Sequence, residues 1–214
     1  MNPPKIKVLI VDDHGVVRSG FREVLQSTDD IEVAGEAGTA ADAFRQAAAT
    51  SFDIILLDIS LPDAPVLETV MGLQRKHPDM AILIVSMHDE EAYAVNLMRA
   101  GASGFFPKAG AAADLVRAIR TVAAGKKFVS ASLAETFALQ TTGDKAVLPH
   151  QALSTREFQI FIHLAGGNTV TEVGKKLFLS VKTVSTHRAR ILEKMNFTTN
   201  ADITAYALQH HLIG

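Results

Sequence analysis

The apolar positions of this chain follow two rhythms. Through residue 124, short apolar runs at Ile6–Val11, Ile31–Ala34, Ile54–Leu57 and Ile82–Val85 alternate with longer segments of helical spacing, and Ser103–Phe106 makes a shorter fifth run. Brief, nearly continuous apolar runs are what strands covered on both faces require. The segments near 15–26, 40–49, 66–76, 90–100 and 111–124 read as the intervening helices. Five strands alternating with helices predict an α/β, doubly wound, five-stranded parallel sheet. From 125 to 150 the pattern weakens: Gly143, Asp144 and Pro149 are breakers, and one short helix is expected over 132–139.

Beyond residue 151 the spacing is helical throughout, and the helix starts are well marked. Ser154 with Glu157 makes a capping box, and Leu153 with Phe158 a hydrophobic staple; Thr169 with Glu172 makes a second box. Ser180 can cap a third helix, and Thr199 or Asn200 a fourth. Gly166-Gly167 ends the first helix, and a short turn at Phe178-Leu179 separates the second from the third. Four short helices with a tight turn between the middle pair predict a small all-α helix-turn-helix domain. The expected organisation is therefore a first domain over 1–124, a linker over 125–150 and a helix-turn-helix domain over 151–214.

Composition supports this division. The 214 residues are 48% hydrophobic and 21% charged, as in globular chains. The net charge of −2 conceals an acidic front, with 14 Lys+Arg against 19 Asp+Glu through residue 149, and a basic back, with 7 against 4. A basic second module suits a polyanionic partner. There is no cysteine, which excludes disulfides, thiolate metal sites and thiol nucleophiles. No apolar run approaches the roughly 20 residues that span a bilayer, and the N-terminus enters the first strand without a signal-peptide pattern. A cytoplasmic protein without membrane contact is expected.

The candidate chemistry lies where strands end. Asp12 and Asp13 follow the first apolar run, Asp58 the third, Ser86 the fourth and Lys108 the fifth. In an open parallel sheet these ends converge on one edge, at the topological switch point where ligands bind. Any one of them is an ordinary polar turn after a buried strand; five together describe a site. Three carboxylates repel unless a cation neutralises them, and oxygen ligands favour a hard ion, Mg2+ or Mn2+. A metal-bound Asp can attack phosphorus and form an aspartyl phosphate. Ser86 and Lys108 offer a hydroxyl donor and a cation for phosphoryl oxygens.

These residues carry a resemblance. Val11-Asp12-Asp13-His14, Leu57-Asp58-Ile59-Ser60-Leu61-Pro62, Ser86 and Gly101 through Lys108 resemble the receiver signature of response regulators. The resemblance implies a flavodoxin-like sheet of order 2-1-3-4-5 and phosphorylation of Asp58 by a sensor histidine kinase. It assigns Mg2+ to Asp13, Asp58 and the Ser60 carbonyl, with Asp12 acting through water. Ser86 and Lys108 would hold the phosphoryl group, Phe105 would be the rotating aromatic of the switch, and Ser60 and His88 would flank the path of attacking water. Two positions depart from the pattern: Val66 stands where receivers usually carry Gly, and Phe105 lacks the hydroxyl of a Tyr.

The second half resembles the LuxR-type DNA-binding domain, which makes the whole chain similar to NarL/FixJ-type response regulators. Leu153-Ser154-x-Arg156-Glu157, Ala165-Gly166-Gly167, Ser180-x-x-Thr183-Val184-Ser185-Thr186-His187 and Ile191-x-x-Lys194-Met195 carry the match. On the helical wheel of 181–195, Val184, Ile191 and Met195 form a core face. Lys182, Ser185, Thr186 and Ala189 point the other way, toward a major groove; Thr183, His187, Arg190 and Lys194 form a flank suited to phosphates, and Arg188 belongs with the DNA-binding set. The departures are Thr169-Val170-Thr171 and Gly174, which replace the family's usual Ser-Asn-Lys and Ala. The family's frequent lysines are missing at Ser185 and Ala189. The fourth helix, over 201–212, implies a homodimer of DNA-binding domains once phosphorylated, on double-stranded DNA. A phosphatase of the haloacid dehalogenase type would need a second Asp at position 60, which is Ser. A protein-binding helical bundle and a receiver that no longer phosphorylates also compete with this reading; the expected protein is a transcription regulator and not an enzyme.

Overall fold

The computed structural model describes residues 4–87, 91–130, 134 and 148–213. The chain forms two compact units. The first is a five-stranded parallel sheet of order β2-β1-β3-β4-β5, with β1 Ile6–Val11, β2 Ile31–Ala37, β3 Ile54–Asp58, β4 Ala81–Ser86 and β5 Gly104–Pro107. Helices α1 Gly15–Gln26, α2 Ala40–Ala49, α3 Val66–Lys76 and α4 Glu91–Ala100 make the four crossovers that parallel pairing demands, and α5 Ala112–Ala123 follows β5. This is the predicted fold. Each apolar residue of β3 is buried, as is β1 from Val8 onward, because both faces of the sheet are covered. One side of the core joins Val8, Ile10, Ile54, Leu56, Leu83 and Val85 to Leu25, Leu115, Ile119 and Val122.

Two features differ from the sequence pattern. Strand β2 runs past residue 34 to Ala37, which pairs with Val11 after a register shift between Val8 and Leu9. Gly35 and Glu36 end the apolar run but not the ladder, because an edge strand needs only backbone groups on its paired side. After α5, the chain returns alongside β5: Phe128 donates its N–H to Ser103 and accepts from Phe105, at 3.1 and 2.9 Å. Gly104 permits this approach, since a Cβ there would run into the Phe128 carbonyl oxygen. The segment covers an edge strand that would otherwise present unpaired groups. The helix expected over 132–139 lies, apart from Ala134, outside the described residues.

The second unit is helical: a 3-10 turn at Pro149–Ala152, then α6 Thr155–Ala165, α7 Val170–Leu177, α8 Val181–Met195 and α9 Asn200–Gln209. Both expected capping boxes form, at Ser154/Glu157 and Thr169/Glu172, and Thr199 with Asp202 makes a third. Ser180 caps α8 by accepting from the Thr183 N–H at 3.1 Å. Leu153 and Phe158 are fully buried, together with Phe161, Val173, Val184, Ile191, Ile203 and Ala207. Burying a side chain of the larger sizes contributes about 1.5–3 kcal/mol, which is what holds four short helices together. No helix among the described residues is long and apolar enough to cross a membrane.

Candidate phosphoacceptor site and nucleic-acid interface

Strands β1 and β3 are neighbours, in register from Val8↔Ile54 to Val11↔Leu57, so Asp12 and Asp58 emerge together at the carboxyl edge of the sheet. The strand order reverses here, which is why the crevice opens at this point. Lys108 arrives from β5, its backbone N–H bound to the Ser86 carbonyl at 2.8 Å. Its ammonium lies 2.6 Å from Asp12 Oδ2 and 3.0 Å from Asp58 Oδ2. All three side chains are nearly out of solvent, at 2%, 3% and 7% exposure. Burial pushes the Asp58 carboxyl above its ordinary range, against the pull of Lys108, and the charge of Asp12 adds to the push. Burial pulls Lys108 down, but its bonds to Asp12 and Asp58 and their charges outweigh this and hold it up.

A cation fits these residues. One ligand atom from each of Asp12, Asp13, His14 and Asp58 lies within 4.8 Å of the others. Two buried carboxylates share one ammonium, with Asp13 at the exposed rim, which leaves net negative charge at the crevice, and a mostly oxygen donor set suits a hard divalent ion. His14, which belongs to the receiver motif without a role of its own there, holds the set in place. Its Nδ1 is 2.6 Å from Asp13 Oδ1, and its backbone N–H donates to Asp12 Oδ1 at 2.8 Å.

Two further residues steady the surrounding loops. Arg18 of α1 donates to the Asp12 carbonyl at 2.6 Å and to Glu36 of β2 at 3.3 Å. Asp63, beyond Ser60 in the loop after β3, accepts the Ala40 and Ala41 N–H groups at the start of α2, each at 2.9 Å. Burial raises the Asp63 carboxyl, but these two N–H groups outweigh it and hold it below the usual range. Val66 opens α3 with its side chain buried, so its replacement of the usual glycine adds core contact and removes no ligand. Ser86 ends β4 and Phe105 lies in β5, both buried; Phe105 pairs with Ile84 and Ser86 with Pro107. His88 lies outside the described residues.

In the second unit, Lys182, Ser185, Thr186, Ala189 and Arg190 of α8 are exposed on the side away from the Val184, Ile191 and Met195 core face. Thr183 joins the N-cap, its Oγ1 2.8 Å from Ser180 Oγ. His187 is half-buried, and its Nδ1 has no partner among the described residues. Two residues of the expected DNA-binding set, one of them from the phosphate flank, have partners within the domain. Lys194 Nζ sits 2.6 Å from Glu157 Oε2, and Arg188 Nε donates to Asn200 Oδ1 at 2.6 Å. A wheel assigns a face but not a partner 37 residues away.

Similarity to known proteins decides which family the chain joins. The family model described as response regulator receiver domain matches residues 8–120, and that described as bacterial regulatory proteins, luxR family, matches residues 151–207. Response regulator UvrY of Escherichia coli is 35% identical over 97% of this chain and 95% of its own length. The chain is a response regulator. Response regulator GacA of Pseudomonas aeruginosa is 34% identical over 97% of this chain and 98% of its own. RcsB of Salmonella enterica serovar Typhimurium, solved bound to promoter rprA in the presence of phosphomimetic BeF3-, superposes with a TM-score of 0.73. It is 22% identical and covers 94% of this chain and 98% of its own, a likeness of fold. This response regulator therefore pairs a receiver with a LuxR-type DNA-binding domain, and it regulates transcription.

Proposed function

We propose that Asp58 is the phosphoacceptor, that a sensor histidine kinase is the donor, and that phosphorylation promotes a homodimer on double-stranded DNA in the cytoplasm. The receiver occupies 1–124, the linker 125–150 and the DNA-binding domain 151–214. The observation that carries this reading is the Lys108 ammonium shared between buried Asp12 and Asp58 at the switch point.

The chemistry follows from the charges. A carboxylate oxygen of Asp58 forms a bond to phosphorus as the P–N bond of the donor phosphohistidine breaks, and the leaving imidazole takes up a proton. Asp13, Asp58 and the Ser60 carbonyl would hold Mg2+, with Asp12 acting through water, and the ion would supply positive charge against the phosphoryl oxygens. Lys108, already beside the reacting carboxylate, supplies a second cation, and the Ser86 hydroxyl donates to the transferred group. Phe105 then turns into the space that Ser86 leaves. On DNA, Lys182, Ser185 and Thr186 face base edges, while Thr183, His187 and Arg190 face phosphates. RcsB was captured on promoter DNA with a phosphoryl mimic, and the same linkage of modification to DNA is assigned to this chain.

The test is labelling by acetyl phosphate. Asp58→Asn abolishes it. Asp53→Asn does not, because Asp53 sits at the opposite end of β3, where it is exposed and accepts the Lys7 N–H at 2.7 Å. Full labelling of Asp58→Asn removes the central claim.

A further inference from the structure

Helices α7, α8 and α9 end in the same way. At each, one residue adopts positive φ and the next N–H returns to a carbonyl five residues earlier: Leu179 to Gly174, Phe197 to Leu192 and Leu212 to Ala207, all at 2.8 Å. The positive-φ residues are Phe178, Asn196 and His211. Phe178 and Asn196 are superimposable in backbone, with φ 54 and ψ 45 against φ 54 and ψ 44. Asn suits that conformation, because its short polar side chain tolerates the left-handed region. A phenyl ring does not, and burial offers no compensation: Phe178 is 95% exposed. The turn itself is closed by Gly174, where a Cβ would lie 2.9 Å from the Leu179 carbonyl oxygen, so the ring is not needed to form it. A strained backbone position that keeps a bulky, solvated aromatic is the pattern of a residue retained for contact.

Charge identifies the partner. Phe178 stands two residues before Ser180, the N-cap of α8, with exposed Lys175 and Lys176 on one side and exposed Val181 and Lys182 on the other. From Val173 to Leu192 the sequence contains no Asp or Glu, against five Lys and Arg. An aromatic set among cations, continuous with the base-facing start of the recognition helix, complements a polyanion that also carries apolar surface. DNA has that surface in its deoxyribose rings and thymine methyls.

We propose that Phe178 is a DNA-contacting side chain, packing on deoxyribose and thymine-methyl surface at the rim of the groove that α8 enters. The proposal rests on DNA binding by this domain. The contact is apolar, so it adds affinity without releasing counterions.

The experiment uses the full chain with Phe178→Asn and Phe178→Tyr, an A·T-rich random-sequence duplex, and a site selected from that pool by the unsubstituted protein. Phe178→Asn relieves the backbone and removes the ring. Its melting midpoint rises by about 2–4 °C while DNA affinity falls by about 5-fold, with the slope of log affinity against log salt unchanged. Phe178→Tyr keeps the ring and retains affinity. Wild-type affinity of Phe178→Asn on both duplexes overturns the proposal and assigns the ring to a protein partner. A lowered melting midpoint overturns it as well, because the ring would then be holding the fold. Failure of the unsubstituted protein to bind any duplex would instead remove the DNA-binding reading on which the proposal rests.

Discussion

Two buried carboxylates within reach of one ammonium leave more negative charge at the receiver site than Lys108 can neutralise. Removing that ammonium should therefore act through charge repulsion rather than lost packing. Lys108→Met, which keeps most of the apolar stem, should cost about 3 kcal/mol in metal-free buffer, because Asp12 and Asp58 then face each other uncompensated. Saturating Mg2+ should recover a larger share of stability in the variant than in the unsubstituted chain, as the cation replaces the missing charge. Denaturant titrations with chelator and with Mg2+ measure this, and equal Mg2+ stabilisation of both proteins would show that Lys108 is not the counterion. At this scale the sequence was most legible where local order made it so. Asp12, Asp58, Ser86 and Lys108 each follow a buried strand of a parallel sheet, so strand position alone brings them to one edge. His14 and Asp63 were not legible, because their roles depend on which loop end lies opposite them. Asp63 meets the start of α2 from 22 and 23 residues away.

Elements in the second unit are held by residues that serve two of them at once. Glu157 completes the α6 capping box, accepting the Ser154 N–H at 2.8 Å, and also receives Lys194 from the last turn of α8 at 2.6 Å. Its side chain is 5% exposed; burial pushes the carboxyl up, but Lys194 and Ser154 outweigh it and hold it below the usual range. A carboxyl lowered on folding stabilises the native state above its unfolded pKa, and this contribution is lost as pH falls through the folded value. Glu157→Gln should therefore cost about 1–2 kcal/mol at neutral pH, and its stability should change less than that of the unsubstituted chain on acidification. Amide exchange in α6 and α8 across pH reads both effects; an unaltered acid dependence would mean the carboxylate is not charged in the fold. Lys194→Ala should lose stability while leaving the salt slope of DNA binding unchanged, and a slope reduced by about 1 would return Lys194 to the phosphate contacts. The helix starts were readable because a cap is a local pairing over three residues. The end of β2 was not, because Gly35 and Glu36 carry no strand signal and the ladder continues only because β1 is there to pair with.

At the scale of the whole molecule, phosphorylation and DNA binding reside in separate units, so a signal at Asp58 must be converted before α8 can respond. The proposed mechanism assigns the start of that conversion to Ser86 and Phe105. They lie on adjoining strands and are buried at 2% and 1% exposure, so a move by either requires its surroundings to give way. In the proposed scheme, phosphoryl oxygens on Asp58 would attract the Ser86 hydroxyl, Phe105 would turn into the vacated volume, and the altered receiver surface would favour pairing of two chains. Two DNA-binding domains held together gain effective concentration on adjacent half-sites, so the small, mostly neutral face of Ser185, Thr186 and Ala189 can still yield tight binding. The scheme separates two substitutions. Ser86→Ala keeps the phosphoacceptor and should still label with acetyl phosphate, yet lose most of the phosphorylation-dependent gain in DNA affinity. Arg190→Ala leaves the receiver untouched and should weaken DNA binding by the same factor whether or not Asp58 is modified, with the salt slope lowered by about 1 if one phosphate contact is lost. Titrating a common duplex with each variant, with and without beryllofluoride and Mg2+, gives four affinities per protein pair. If the two variants lose the same factor in both states, the switch and the binding surface are not separate, and the Ser86–Phe105 route must be abandoned.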